Sequence, residues 1–246
     1  MHIATLHAVN DAGRSTNPIH LDGAARRLGL RGGWVGGPTL LGYLARAASS
    51  RWGPAWLAAG GMDVRFRAPV YDQDELRLEL TEHASGGAEA WLTNADGVMC
   101  ASAELTAPGG VRSVDPEPEV RPEPADEDKP YVSIEVLRGL PDLTTVECRP
   151  GGSTPDGRVP LEELVGASID IMYATFRPDG PRILTRLVTT QLAPVPSGST
   201  LVARGRILAA WESRARTYAT NSVLLSDTDG EPMLHVANTT IWRMPR

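Results

Sequence analysis

The chain has 246 residues, enough for one large domain or two of roughly 100–130 residues each. With 41% hydrophobic and 22% charged residues it has the composition of an ordinary globular protein. Its formal net charge of −6 excludes a general nucleic-acid binder, which needs a strongly basic surface, but leaves room for a local basic patch and an anionic ligand.

The opening segment "MHIATLHAVNDAG" lacks a basic region followed by an apolar run, so no secretory signal is expected. No window approaches about 18 uninterrupted apolar residues, so no transmembrane helix is expected either. Cys100 and Cys148 are far apart and outside any metal-ligand spacing, which suggests a reducing, cytoplasmic setting without a disulfide framework.

The segment "STNPIHLDGAARRLGLRGG" follows. Asn17-Pro18 is a turn signal, because an Asx side chain bonds nearby backbone and proline fixes φ. His20 stands just after it. Arg26, Arg27 and Arg31 form a local basic cluster, read as a solvated helix face. "GPTLLGYLARAASSRW", Gly37 to Trp52, predicts an apolar helix. "VRFRAPVYDQDELRLEL" from Val64 and "AEAWLTNADGVMCASAELT" then alternate apolar and polar residues, the mark of half-buried antiparallel strands. Asp96-Gly97 signals a hairpin turn.

Proline and acidic residues dominate "SVDPEPEVRPEPADEDKP", Ser113 to Pro130, which reads as an extended, solvated connector. Beyond it the pattern returns. "PLEELVGASIDIMYATF", Pro160 to Phe176, predicts a second apolar helix, and "TTQLAPVPSGSTLVARG" from Thr189 opens a second run of strands with a hairpin signal at Asp229-Gly230. Ala68-Pro69-Val70 matches Ala193-Pro194-Val195, and Leu76 matches Leu201, at a constant offset of 125. The proline of each Ala-Pro-Val belongs at a strand end, edge or bulge. The expected fold is therefore α+β: two antiparallel sheets, each wrapping a central helix, with one unit at 1–112, a linker at 113–130 and a second unit at 131–246.

Helix followed by meander, twice over, resembles a double hotdog. At "NPIHLDGAARRLGLRGG" the likeness narrows: Asn17, Pro18, Ile19 and His20 resemble the motif of the MaoC-like (R)-specific enoyl-CoA hydratases and 3-hydroxyacyl dehydratases. The resemblance covers the first half; the second half has no Asn-Pro-x-His. It implies action on an acyl thioester of CoA or a carrier protein, with His20 as general base and a backbone amide of Gly36 or Gly37, at the start of the central helix, as oxyanion donor. Helix N-terminal amides suit that role because they are unpaired and carry partial positive charge. The resembled enzymes place an Asp five residues before the histidine. Here Ser15 stands there; its hydroxyl can position water but cannot accept a proton at neutral pH.

The notable acid of the second half is Asp170, within the apolar run "GASIDIMYAT", where a carboxylate is costly to bury unpaired. A fused pair could set it opposite His20. Glu162 and Glu163 occupy a first helical turn, where acids favour the helix dipole. Tyr43 and Tyr173, each on a central helix, are core candidates, and Tyr43 with Asn17, Gly36 and Gly37 is a candidate for substrate contact. The same segments also resemble hotdog acyl-CoA thioesterases, in which a helix acid such as Asp170 would activate water. Loss of the motif Asp would equally fit a repurposed pocket, for an isomerase, a cyclase or a ligand carrier. No metal or cofactor is expected: there is no His/Cys cluster, no phosphate-cradling loop, and "GGWVGG" lacks dinucleotide spacing. No nucleic-acid or membrane partner is expected, and a fused pair can stand alone or form a homodimer.

Overall fold

A computed structural model describes residues 2–11, 15–84, 86–109, 120–140, 142–178 and 180–243. The first half contains β1 (His2–His7), α1 (Asp22–Arg27), α2 (Gly37–Trp52), α3 (Pro54–Ala59), β2 (Gly61–Phe66), β3 (Glu75–Glu82), β4 (Ala88–Asn94) and β5 (Met99–Thr106). The second contains α4 (Ile134–Gly139), β6 (Val146–Cys148), α5 (Leu161–Thr175), β7 (Ile183–Gln191), β8 (Leu201–Ser213), β9 (Arg216–Asp227) and β10 (Pro232–Arg243).

Local chemistry sets these boundaries. Pro38 stands in the first turn of α2, where its missing N–H costs no hydrogen bond, and Gly53 (φ 67°) ends the helix in a conformation other residues resist. Leu40, Leu41, Leu44 and Ala48 bury the inner face of α2. Leu76, Leu78 and Leu80 alternate inward along β3, as period-two patterning requires. The inward positions of β4 and β5 include Ala88, Ala90, Ala101 and Ala103, small enough for the helix to lie close. Both hairpin turns are built alike: the Asn94 side-chain oxygen accepts from the amides of Asp96 and Val98, and that of Asp227 from Asp229 and Glu231. Gly97 and Gly230 take the positive φ each turn needs.

One expectation needs correction. The strands form one ten-stranded antiparallel sheet, in the order β1-β3-β4-β5-β2-β7-β10-β9-β8-β6, instead of two. The halves join where β2 pairs with β7, and each half runs outward from that seam in the same internal order. Asp63 and Val188, themselves 125 residues apart, face each other at its centre, as a two-fold relation between the copies demands. Joined this way, neither β2 nor β7 leaves an open row of backbone donors and acceptors. Arg186 clamps the seam with a two-pronged bond to the Asp63 carboxylate at 2.9 and 2.7 Å.

The Ala-Pro-Val segments follow β2 and β7 and share one hydrogen-bond pattern. The amides of Arg67 and Ala68 both donate to the Cys100 carbonyl, and those of Leu192 and Ala193 both donate to Met233. The central helices α2 and α5 meet at Gly42. A Cβ there would lie 2.8 Å from the Glu162 carboxyl carbon, so only glycine lets that side chain rest against α2. Of the expected linker, residues 113–119 lie outside the described residues. The remainder is less extended than its composition suggests. Asp126–Asp128 form a short 3-10 turn, Lys129 bonds Glu123 and Asp126, and the Arg121 amide donates to the Thr145 hydroxyl. Among the described residues no helix is long and apolar enough to cross a membrane.

Candidate active site

Pro18–His20 form a single 3-10 turn capped by Asn17. Asn17 is buried, and its side chain ties the first half to the second. Nδ2 donates to the Arg182 carbonyl at 2.7 Å, and Oδ1 accepts from the Arg182 amide at 3.2 Å. The Asn17 amide in turn donates to the Ser15 hydroxyl at 3.1 Å.

This clamp fixes the position of His20. Its Nδ1 lies 2.7 Å from the Trp34 carbonyl oxygen. A carbonyl only accepts, so Nδ1 carries the proton and Nε2 keeps a lone pair. Nε2 is 3.4 Å from Asn17 Nδ2. Burial pushes the His20 pKa below 6.5; the bond to Trp34 opposes that shift and the charge of Arg182 adds to it. The ring is therefore a neutral base at neutral pH. Its backbone is held as firmly: the His20 carbonyl accepts from Asn10 Nδ2 at 2.9 Å and runs past Gly33, where a Cβ would come within 2.3 Å of the oxygen.

His20 lines a cavity of about 400 Å³ built from both halves. Asn17, Gly37 and Phe66 contribute from the first half, and Ile169, Tyr173 and Leu184 from the second. Gly37 opens α2 and lines the cavity. Pro38 has no N–H and the Leu40 amide donates to the Gly36 carbonyl, so the amide that this helix start brings to the cavity wall without a partner in the helix is that of Gly37. A Cβ at Gly37 would lie 2.7 Å from Leu184 Cδ2, so glycine there lets Leu184 of the second half pack against the start of α2.

The other candidates fall outside the cavity wall. The Ser15 hydroxyl holds the Asn17 amide. Gly36 is the residue before α2. Tyr43 is buried in the first-half core, its hydroxyl accepting from the Val9 amide at 2.9 Å. Asp170 is solvent-exposed. Ile169 and Tyr173, one turn apart, line the cavity from α5; Asp170 projects about 100° from Ile169 and about 60° from Tyr173. Asp170, expected to face His20, is not among the residues that line the cavity. The apolar surroundings of its carboxyl raise its pKa, and its charge adds to the burial that pushes the Cys148 thiol up to about 11.

Sequence reasoning missed Arg182, which lines the cavity, is 4% exposed and stacks on Tyr173 with its guanidinium carbon 4.0 Å from the ring centroid. No local pattern marks this residue; it reaches His20 only because β7 docks on β2.

The second half holds the equivalent place but not the cavity. Val35 donates to the Val70 carbonyl and Val159 to that of Val195, each at 2.8 Å. Past Val159, Leu161 stands where Gly37 stands past Val35. With Leu164 and Met233 it leaves about 10 Å³ there, room for about one water. Of these two equivalent places, the one in the first half is open and the one in the second is nearly filled.

No family model matches the chain, and no curated protein does. Solved structures do. A MaoC-like dehydratase is 14% identical, covers 99% of this chain and 98% of its own, and superposes with a TM-score of 0.63. An acyl-CoA thioesterase II from Mycobacterium marinum is 15% identical over 85% and 89%, at 0.56. A conserved protein of unknown function from Alicyclobacillus acidocaldarius, described as having the hot dog fold, is 14% identical over 85% and 88%, at 0.53. The fold is a hotdog. At these identities the likeness concerns the hotdog scaffold alone.

Proposed function

We propose that this hotdog protein is an enzyme acting on acyl thioesters, hydrating a 2-enoyl group or dehydrating the corresponding 3-hydroxyacyl group, with His20 as the base. The observation that carries this reading is a neutral imidazole, its lone pair fixed on Nε2, in a cavity also lined by Gly37 at the N-terminus of α2, whose amide has no partner within the helix. Neighbours described as a dehydratase and a thioesterase support an acyl thioester as substrate.

In the dehydration direction His20 Nε2 removes the α proton. The electron pair of that C–H bond passes through the enolate, whose oxygen is held by an amide at Gly37. The C–O bond at the β carbon then breaks, and the proton on Nε2 goes to the departing hydroxyl as water. Among the described residues no Asp or Glu lines the cavity, so one imidazole both takes and returns the proton. Hydration is the reverse.

The test supplies 2-enoyl and 3-hydroxyacyl thioesters, on CoA and on carrier protein, and follows their interconversion. Removing a general base costs about 10²–10⁴ in rate, and His20→Gln is expected to fall in that range. Turnover that persists undiminished in His20→Gln overturns the assignment. Free thiol released from a saturated acyl-CoA, and lost in Asp170→Asn, would instead mark the thioesterase reading. With Asp170 exposed and off the cavity wall, Asp170→Asn is expected to keep wild-type hydration.

A further inference from the structure

For a chain of net charge −6 the cavity is unusually cationic: Arg67, Arg182 and Arg216 line it beside His20, with no facing carboxylate among the described residues. Arg67 is exposed and hydrogen-bonds Ser102. Arg182 differs. It is 4% exposed, and its Nε and Nη2 are fully buried without a hydrogen-bond partner. Arg216 likewise leaves its Nε buried and unpaired.

A buried guanidinium with idle donors destabilises a fold unless something completes it. Arg182 is not idle through disorder: Asn17 grips its backbone from both sides, and Tyr173 holds the guanidinium plane. Stacking engages the face of a guanidinium and leaves its edge donors free, and that edge matches a carboxylate two-to-two. A phosphate of the CoA moiety is the other anion in reach of an acyl-thioester site. It suits the exposed Arg67, whereas a buried Arg182 calls for charge on the part of the ligand that enters the cavity.

We propose that the acyl group taken by this cavity carries a carboxylate of its own, bound by Arg182 with support from Arg216, so that the substrate class is a monothioester of a dicarboxylic acid. The thioester half of this statement rests on the function proposed above; the carboxylate half rests on the arginines alone.

The experiment measures binding to the full chain by calorimetry, using malonyl-, succinyl- and glutaryl-CoA. Each is paired with the neutral acyl-CoA of equal carbon number, and free CoA and the free dicarboxylates serve as controls. At least one dicarboxylic thioester is expected to bind about 10- to 100-fold tighter than its neutral partner, the range of hydrogen bonds to a charged group. Arg182→Met should abolish that preference while keeping affinity for the neutral thioester, and should raise the midpoint of thermal unfolding. Arg182→Lys, the milder variant if Arg182→Met fails to fold, should retain only part of the preference, because an ammonium cannot offer the two-pronged edge. Arg216→Gln should weaken it less than Arg182→Met does. Equal binding of charged and neutral partners overturns the inference, as does a preference surviving in Arg182→Met or undiminished in Arg182→Lys, or free CoA binding as tightly as the best thioester. If no thioester binds but a free dicarboxylate does, in an Arg182-dependent way, the carboxylate site stands and the thioester function falls. Binding of neither overturns both.

Discussion

Gly33→Ala tests whether the placement of His20, and not merely its presence, governs the chemistry. A Cβ at Gly33 would lie 2.3 Å from the His20 carbonyl oxygen, 2.8 Å from its carbon and 2.9 Å from Asn10 Nδ2, whereas ordinary contacts begin at about 3.4 Å. The two nearest atoms, those of His20, are backbone, so a rotamer change cannot relieve the clash. The His20 carbonyl must retreat by about 1 Å, breaking the bond from Asn10 and tilting the ring away from Trp34 and Asn17. Misplacing a catalytic group by about 1 Å can cost about 10² in rate, and overpacking of this kind costs about 1–3 kcal/mol of stability. The assay is steady-state turnover of the enoyl thioester beside urea unfolding of the same preparation. The expected result is a folded variant with kcat down about a hundredfold and KM little changed. A folded Gly33→Ala with wild-type kcat would refute the claim that the Trp34–Gly33–Asn10 frame positions the imidazole.

Three further outcomes follow from the same geometry. His20 binds protons more weakly folded than unfolded, so the folded state loses stability as pH falls below about 6.5, by up to about 1.4 kcal/mol per pH unit until the lowered folded pKa is passed. His20→Gln should flatten that part of the stability–pH curve, and an unchanged curve would deny the ring's burial. Activity, which needs the neutral ring, should have its acid limb below pH 6.5. Asn17→Ala strips partners from the Arg182 amide and carbonyl, both buried, at about 1–3 kcal/mol for each group left unsatisfied; chemical denaturation should show that loss together with lost turnover. Gly37→Leu copies the second half, where Leu161 accompanies a 10 Å³ remnant. Because the clash at Gly37 is with the movable tip of Leu184, the variant should fold, and calorimetry should find no acyl ligand bound.

Much of the architecture was legible in residues close together in sequence. The helix predicted at 37–52 is α2, and that at 160–176 frames α5, because a stripe of apolar residues at helical spacing and its flanking Gly and Pro are local signals. The Asp96-Gly97 and Asp229-Gly230 turns read correctly for the same reason: an Asx side chain and a positive-φ glycine act within five residues. The merging of two sheets into one was not legible. Pairing of β2 with β7 joins residues more than 120 positions apart, and nothing in either strand alone distinguishes an edge from a seam.

The site divides along the same line. Asn17-Pro18-Ile19-His20 could be found because its geometry is a local turn. Asp170 drew notice as an acid in an apolar run, yet an apolar run does not say which side of the helix meets a cavity. Ile169 and Tyr173 line the cavity, and Asp170 is not among its lining residues. Arg182 drew no notice at all.

By itself, then, the sequence determined the duplication, the two central helices, the strand runs and the histidine turn, since each depends on side chains that interact over one or two turns of chain. Only the tertiary structure decided that one of two equivalent places stays open, that a neutral imidazole faces it, and that arginines from the far half line it. A cavity is the space left where distant segments meet, so its shape and charge are fixed by contacts such as Asn17 with Arg182, 165 residues apart.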